Sequence, residues 1–575
     1  MEFQIEVNNS LVNASEGETL LTVLRRQGIK VPTLCHMNRF SPTGACRLCV
    51  VEVEDKRDLI TSCSQPAEPG MKVFTNTQRV IRARKLIVEM LLSNHPDDCL
   101  YCERNGNCEL QWLADEMHVK ERKFFARKNP YYPDGSSTSV FRDPAKCVLC
   151  SRCVRICEET QLVNAIDFIS RGNQTTINSA FDKGLNVSSC INCGQCIMVC
   201  PTGALVDISH IEKVQAAIDK GKKEVIFFVS PSVTASLAEH FGMKPEKGLG
   251  GLICAALKKI GASKVFNLGF ASDLNIHAEA GQLALRLKNG AKVPMLSSCC
   301  PSWIKYLEEF RPELIPDLST SKSPQQMFGK IMKSFFTKTE KIHPDSIYAV
   351  SVMPCVAKKF EASREETTHK GISEVDAVLT IRELMRMMRT NGIDLRNLEP
   401  AEFDTPFQTA SGASWKLGYS GGKAEAVALE LHHKLKGSAK EEFKFSVPKN
   451  IAGRKESKVT IGKNTYGFAW VSGIANAEAY LNQLKEEGRD DIHYVEVMAC
   501  LEGCAGGGGQ PIFRIPEKPR NRKKICQEME KISQWRSPSE HPALDQFFRN
   551  LKNGPDSETA QEFFKTSFKK RDVLK

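Results

Sequence analysis

Residues 293–300 read VPMLSSCC, an apolar run that ends in two adjacent cysteines. Similar runs recur at 224–229 (EVIFFV), 264–270 (KVFNLGF), 346–353 (SIYAVSVM), 375–380 (VDAVLT), 466–471 (YGFAWV) and 493–498 (HYVEVM), separated by stretches with helical periodicity. Short, unbroken apolar runs alternating with helices read as buried, largely parallel strands of an α/β architecture. Three of them run straight into cysteine: VPMLSSCC, AVSVMPC (349–355) and VEVMAC (495–500). In open α/β sheets ligands collect at the carboxyl ends of strands. Cys299 or Cys300, Cys355 and Cys500 are therefore expected to converge on one site, although about 200 residues separate the first from the last.

The chain has 575 residues, enough for three to five domains. The opening MEFQIEVNNS has no basic segment followed by an apolar run, and no stretch is long and apolar enough to span a bilayer. A cytoplasmic protein with no membrane segment is expected. Of 22 cysteines, 15 precede residue 201, many as C-x2-C, which outside an exported chain reads as metal binding rather than a disulfide framework. The net charge of +11 suits an acidic partner or a dispersed solvated surface equally well, and nothing resembles a nucleic-acid module. Residues 3–7 (FQIEV) and 49–54 (CVVEVE) read as strands and ETLLTVLRRQG (18–28) as a helix, making a small α+β domain. A helix follows at 79–93, then a short cysteine-bearing stretch to 125, a linker-like ARKNPYYPDGSSTSV (126–140), and a duplicated segment, 141–209.

That duplication holds the strongest motif. CVLCSRCVRIC places Cys147, Cys150, Cys153 and Cys157, and CINCGQCIMVC repeats it as Cys190, Cys193, Cys196 and Cys200. The spacing C-x2-C-x2-C-x3-C is that of two-cluster ferredoxins, in which the fourth thiolate of each run crosses to the other cluster. By this rule Cys147, Cys150, Cys153 and Cys200 bind one 4Fe–4S cubane, and Cys190, Cys193, Cys196 and Cys157 the second. Upstream, Cys35, Cys46, Cys49 and Cys63 have the long-loop, tight-pair, distant-closer layout of a plant-type 2Fe–2S domain, with a longer first gap; structural zinc is the alternative. His95, Cys99, Cys102 and Cys108 form H-x3-C-x2-C-x5-C. Zinc with three thiolates and an imidazole fits that spacing alone, and a further iron–sulfur cluster fits it beside the other motifs. Cys500 and Cys504 stand four apart in MACLEGCAGGGGQP, on one helical face or one turn, before four glycines that would let backbone approach a bulky cofactor. Cys254 and Cys526 lie in helical patterns and read as small buried hydrophobes.

SSCCPSW (297–303), SVMPCVAKKFE (351–361) and EVMACLEGCAGGGGQP (496–511), after four cluster motifs in this order, resemble the iron–iron hydrogenases of the long, ferredoxin-linked bacterial type. The resemblance covers essentially the whole chain; the large iron–sulfur subunit of complex I is similar over residues 1 to about 209 only. It implies a β-grasp 2Fe–2S domain (1–79), a small His/Cys 4Fe–4S domain (80–125), a two-cluster 4Fe–4S ferredoxin domain (126–209) and a large α/β H-cluster domain (210–575). It also implies that Cys300, Cys355, Cys500 and Cys504 hold the cubane of the H-cluster, with Cys504 bridging to a two-iron subsite carrying CO, cyanide and a dithiolate amine. Lys358 would donate to a cyanide nitrogen, Pro231, Ser232 and Gln325 would line the cavity, and Met353 and Met498 would pack against it.

Adjacent residues of an extended chain point to opposite faces, so Cys299 and Cys300 are expected to serve different ends. By the resemblance Cys300 is the ligand and Cys299 exchanges protons with the amine, the relay continuing through Glu279, Ser319, residue 282 and Arg286. The chain departs from the family pattern in having Gln282 for Glu, Ser297 for Thr and Ser230 for Ala, and Tyr419 and Lys423 at positions usually small or apolar. The implied activity is reversible reduction of protons to hydrogen with electrons from ferredoxin or a similar carrier, after maturation proteins have installed the two-iron subsite. Two alternatives are a hydrogen-activating subunit of an NAD-linked, electron-bifurcating complex with flavoprotein partners, and a low-activity hydrogen sensor.

Overall fold

A computed structural model describes residues 1–125, 132–369, 371–436, 453–513, 521–551 and 563–573. At the N-terminus five strands pair in the order Ser10–Ser15, Glu2–Val7, Lys72–Phe74, Val50–Val53, Ile60–Thr61. Glu2–Val7 and Lys72–Phe74 are parallel and the other pairs antiparallel, the mixed sheet of a β-grasp. Helix Leu20–Arg26 is started by Thr19, whose hydroxyl accepts from the Thr22 N–H, and it buries Leu20, Leu21, Val23 and Leu24 against Ile5, Val7, Val51 and Val73. Helix Gln78–Ser93 leads out of this unit, its buried Arg84 donating to the carbonyls of Thr75 and Val50.

The duplicated cysteine segment is closed by an antiparallel pair, Val140–Arg142 with Leu205–Asp207. Its two halves share a backbone conformation: Leu149 and Ser151 in the first, Asn192 and Gly194 in the second, all have positive φ (52°, 62°, 57° and 68°). Of the linker expected at 126–140, residues 126–131 lie outside the described residues. The remainder is built into the fold rather than left as a tether: Ser137 Oγ donates to Asn192 Oδ1 and Ser139 Oγ to the Val356 carbonyl.

The large C-terminal region contains two sheets. The first is wholly parallel, in the order Lys264–Asn267, Glu224–Val229, Ile347–Met353, Ala377–Thr380. Val225, Phe227 and Val229 face one apolar core while Ile226 and Phe228 face another, which is why EVIFFV is apolar without alternation. The second sheet runs Met295–Leu296, Ile492–Met498, Asn464–Ser472, Arg454–Ile461 and is parallel except at its last pair. Its edge strand Arg454–Ile461 (RKESKVTI) escapes the apolar-run criterion because alternate residues face solvent. Helix Gly269–Lys288 joins the sheets: Ala271 and Leu274 pack with the first, Ile276, Ala280 and Leu283 with the second. Among the described residues no helix is long and apolar enough to cross a membrane.

Candidate active site

The cysteine-terminated strands belong to different sheets, yet their carboxyl ends meet. Cys355 follows Ile347–Met353 of the first sheet; Cys299 and Cys300 follow Met295–Leu296, and Cys500 follows Ile492–Met498, of the second. Cys504 returns by a turn, not a helical face: Gly503, at φ 65°, donates its N–H to the Cys500 carbonyl. The thiols lie within each other's fields. Burial pushes Cys355 up to about 12, reinforced by Cys300. Burial also drives Cys500 and Cys504 well above the ordinary thiol range, reinforced at both by Cys355 and Cys300. A dry pocket with four mutually repelling thiolates is unfavourable by itself; a cationic iron core inverts that balance, so the donor set fits a cluster.

The glycines after Cys504 let neighbouring backbone close in. A Cβ on Gly507 would lie 2.4 Å from the Pro354 carbonyl, on Gly508 2.7 Å from the Cys193 carbonyl, and on Gly509 2.9 Å from the Cys355 N. They admit neighbouring backbone, and they seat the duplicated cysteine segment directly against the C-terminal site. Gln195 closes the same seam, its Nε2 donating to Cys500 Sγ (3.2 Å) and the Gly506 carbonyl (3.0 Å). No sequence motif flags this glutamine.

Lys358, on helix Ala357–Ala362, is buried. Its ammonium donates to both oxygens of Glu361 at 2.8 Å and to the Cys299 carbonyl at 3.3 Å. Ser323 Oγ (2.8 Å) and Gln325 Nε2 (3.0 Å) also donate to Glu361, while Gln325 Oε1 is buried without a partner among the described residues. Pro231 opens helix Pro231–Phe241, with Ser232 Oγ 2.8 Å from Ser230 Oγ. Met353 and Met498 occupy equivalent last positions of two strands and are buried.

Cys299 and Cys300 face different neighbours. Cys300 heads helix Pro301–Phe310 and bears on Cys193, Cys355 and Cys500. Cys299 is pushed up to about 11 by burial, with Lys423 the strongest opposing charge and Glu279 acting upward. Glu279 accepts from Lys423 Nζ at 2.7 Å and Tyr494 Oη at 2.6 Å. Farther along, Ser319 Oγ donates to Gln282 Oε1 at 3.1 Å, Thr320 N–H shares that acceptor, and Arg286 holds the carbonyls of Pro316, Asp317 and Leu318. Among the described residues no hydrogen bond joins Glu279 to Ser319.

Two cavities lie in the duplicated segment. One is lined by Cys147, Cys150, Cys153 and Cys200, the other by Cys157, Cys190, Cys193 and Cys196. Backbone N–H groups of Leu149 and Ala165 point at Cys147 and Cys157 Sγ, both at 3.4 Å. The crossed spacing of the two runs thus reappears as two rings of four thiols, a donor set suited to cubanes. Near the first ring, a Cβ on Gly203 would sit 2.6 Å from Cys102 Sγ. Cys102 bears on Cys99 and Cys108, while burial holds His95 down to about 4 and its buried Nδ1 has no partner among the described residues. In the N-terminal unit Cys35 is held down to about 5 by hydrogen bonding from Cys46, and Cys49 down to about 6 by Cys63. Arg155, between two ring cysteines, donates to the carbonyls of Cys35 (2.5 Å) and Ser41 (2.7 Å), which docks this unit on the duplicated segment.

Comparison with known proteins agrees with this layout. Residues 223–508 match the C-terminal domain of the iron-only hydrogenase large subunit. Residues 1–78 match a 2Fe–2S cluster-binding domain, 84–123 the NADH-ubiquinone oxidoreductase-G iron–sulfur binding region, and 146–204 a 4Fe–4S dicluster domain. The chain is 35% identical to the NADP-reducing hydrogenase subunit HndD of Solidesulfovibrio fructosivorans over 99% of both chains. It is 34% identical to iron hydrogenase 1 of Clostridium pasteurianum, over 98% of this chain and 100% of that one. The structure of a variant of apo [FeFe]-hydrogenase HydA1 from Chlamydomonas reinhardtii superposes with a TM-score of 0.56 at 27% identity, covering 64% of this chain and all of HydA1.

The chain belongs to the iron-only hydrogenases. It is an oxidoreductase acting on protons and hydrogen, with a multidomain fold in which 2Fe–2S and 4Fe–4S ferredoxin-like domains precede a catalytic domain built for the H-cluster.

Proposed function

We propose that the chain is a reversible hydrogenase in which four accessory clusters feed an H-cluster held by Cys300, Cys355, Cys500 and Cys504. The observation that carries this reading is the convergence of those four thiols at the carboxyl ends of two sheets, with Gln195 of the duplicated segment bonded to Cys500. A 2Fe–2S cluster is assigned to Cys35, Cys46, Cys49 and Cys63, and a 4Fe–4S cluster to His95, Cys99, Cys102 and Cys108. The two cubanes are assigned to the thiol rings of the duplicated segment. The domain limits that go with this are 1–79, 80–125, 126–209 and 210–575. Ferredoxin or a similar small carrier is the electron partner at one of the two outer sites; the thiol rings of Cys147 and of Cys193 would hold clusters that supply redox centres between those sites and Cys500. The setting is the cytoplasm, and maturation proteins supply the two-iron subsite.

When bound, the H-cluster supplies the redox-active iron at which protons and hydrogen interconvert. The protein does the rest. Met353 and Met498, with Pro231, keep the cavity dry, so each nearby charge acts more strongly than in water. Glu361 fixes Lys358, which presents a positive charge for an anionic iron ligand, and Ser232 and Gln325 offer polar contacts on the cavity wall. Cys299 gives and takes the proton, with Glu279 and Ser319 behind it.

Infrared spectroscopy of the maturated protein tests this directly: CO and cyanide bands are expected, and their absence sinks the assignment. Hydrogen evolution with reduced viologen is expected in the wild type and lost in Cys299→Ala. Full bands with negligible wild-type turnover would instead mark a sensor. The full-length similarity to a subunit named for NADP reduction is consistent with a second reading, in which flavin-bearing partners pass electrons between this chain and a nicotinamide. Co-purification of such a partner favours it.

A further inference from the structure

Lys423 lies in the first turn of helix Gly422–Lys436 within GGKAEAVALEL, a place ill suited to a cation. A helix N-terminus repels positive charge, and its small, apolar neighbours cannot solvate one. The side chain nevertheless turns inward, and it and Glu279 are both 0% exposed where they meet. Dehydrating two ions costs each several kcal/mol, and a buried pair usually stabilises less than apolar packing of the same volume.

The lysine–glutamate pair of Lys359 with Glu383 is equally dry. There the backbone accounts for the remaining contacts: Glu383 accepts from the N–H groups of Thr380 and His210, and Lys359 donates to the Ile208 carbonyl. The partners of the Lys423–Glu279 pair are of another kind. The other neighbour of Lys423 is the Cys299 thiol, and the other partner of Glu279 is the Tyr494 phenol. Thiol, ammonium, carboxylate and phenol thus form a dry row in which each member can hold or release a proton. Glu496, anchored by the N–H groups of Gly421 (2.9 Å) and Ala424 (2.8 Å), adds a second carboxyl near the ammonium, one that burial pushes up to about 7.

We propose that Lys423 is a proton-transfer residue of this hydrogenase, carrying the proton between Cys299 Sγ and Glu279 Oε1. The inference rests on the reading of Cys299 as the thiol that exchanges protons with the catalytic group. In the direction of hydrogen oxidation, an N–H bond of Lys423 breaks as an O–H bond forms on Glu279. The S–H bond of Cys299 then breaks as the N–H bond is restored, and the thiolate is reprotonated by the proton released from hydrogen. No electrons move in these steps, and the reverse sequence delivers a proton for hydrogen evolution. Lysine suits the task because its ammonium can give up a proton where a guanidinium cannot.

The test uses the full chain with its clusters installed, as wild type, K423M and K423R. Infrared CO and cyanide bands establish that each variant is assembled, and spectroelectrochemistry gives the potential of the catalytic group. The expected result is intact bands in all three, and a fall in kcat of at least about tenfold in both variants with KM for the electron donor unchanged. The solvent deuterium isotope effect should rise in both, and the potential should move in K423M but not in K423R. Wild-type turnover in K423R shows that only the charge matters and overturns the proposal. If K423R does not assemble, K423M decides: wild-type turnover, or a loss with an unchanged isotope effect, overturns it. Failure of the underlying reading looks different, since Cys299→Ala would then keep full activity.

Discussion

The two rings of thiols in residues 147–200 and the four-thiol site of residues 300–504 have the same chemistry and are assembled in opposite ways. Each ring draws three cysteines from one short loop whose positive-φ residues turn the backbone around the cavity. The four-thiol site takes its cysteines from three strand ends in two sheets, and nothing local forces them together. A ring therefore tolerates changes elsewhere in the fold. The four-thiol site depends on two sheets keeping their places, and the seam of Gly506–Gly509 and Gln195 is where that dependence is concentrated.

The largest effects should come from removing ligands on either side. Cys355→Ser is expected to abolish the CO and cyanide bands and all hydrogen turnover while the electron paramagnetic signals of the accessory clusters persist. Cys150→Ser should do the reverse, losing an accessory signal and carrier-driven turnover while the infrared bands remain. If both substitutions cost the same set of signals, the two sites are not independent. Next comes Gly508→Ala, whose Cβ would meet the Cys193 carbonyl at 2.7 Å and Gly194 Cα at 2.9 Å. Overpacking of that kind costs about 1–3 kcal/mol, and slower carrier-driven turnover with intact infrared bands would locate the damage at the seam. Gln195→Ala removes two hydrogen bonds without a clash, and a drop of about tenfold in carrier-driven activity is expected, with a shifted cluster potential. Wild-type potentials in that variant would remove Gln195 from the electron path.

The smallest effect is one of pH on the scaffold. Asp273, on the helix that joins the two sheets, is pushed up to about 7 by burial, against the pull of hydrogen bonds from Ser411. A carboxyl that binds its proton more tightly when folded stabilises most when protonated, so its contribution is lost as pH rises from the unfolded value of 3.8 through about 7. Thermal unfolding of the cluster-bearing protein at pH 5.5 and 8 should therefore show a gap that narrows in Asp273→Asn. An unchanged gap would assign the pH dependence to other groups.

Much of the fold is legible in the sequence because its signals are local. EVIFFV and VEVMAC are unbroken apolar runs since both faces of their sheets are covered, and the helix at 18–28 carries its own cap at Thr19. RKESKVTI gives no such signal because an edge strand half in water lacks that run. The duplicated spacing is legible for a similar reason: ligands three residues apart on one loop leave the chain few ways to arrange them.

Local patterning was enough to mark the cysteine-bearing motifs, to alternate strands with helices, and to place the cluster motifs before the α/β region. Three-dimensional packing was needed to bring the strand ends together from two sheets, to fit the glycine run against the Cys193 and Pro354 backbones, and to carry Gln195 to Cys500. It also turned Lys423 from an apparent oddity of a helix start into the partner of Glu279 and Cys299. The physical reason is range. Spacing and periodicity act within a few residues, whereas the dryness and charge around Lys423 are set by Cys299, Glu279, Tyr494 and Glu496, which no local pattern brings together.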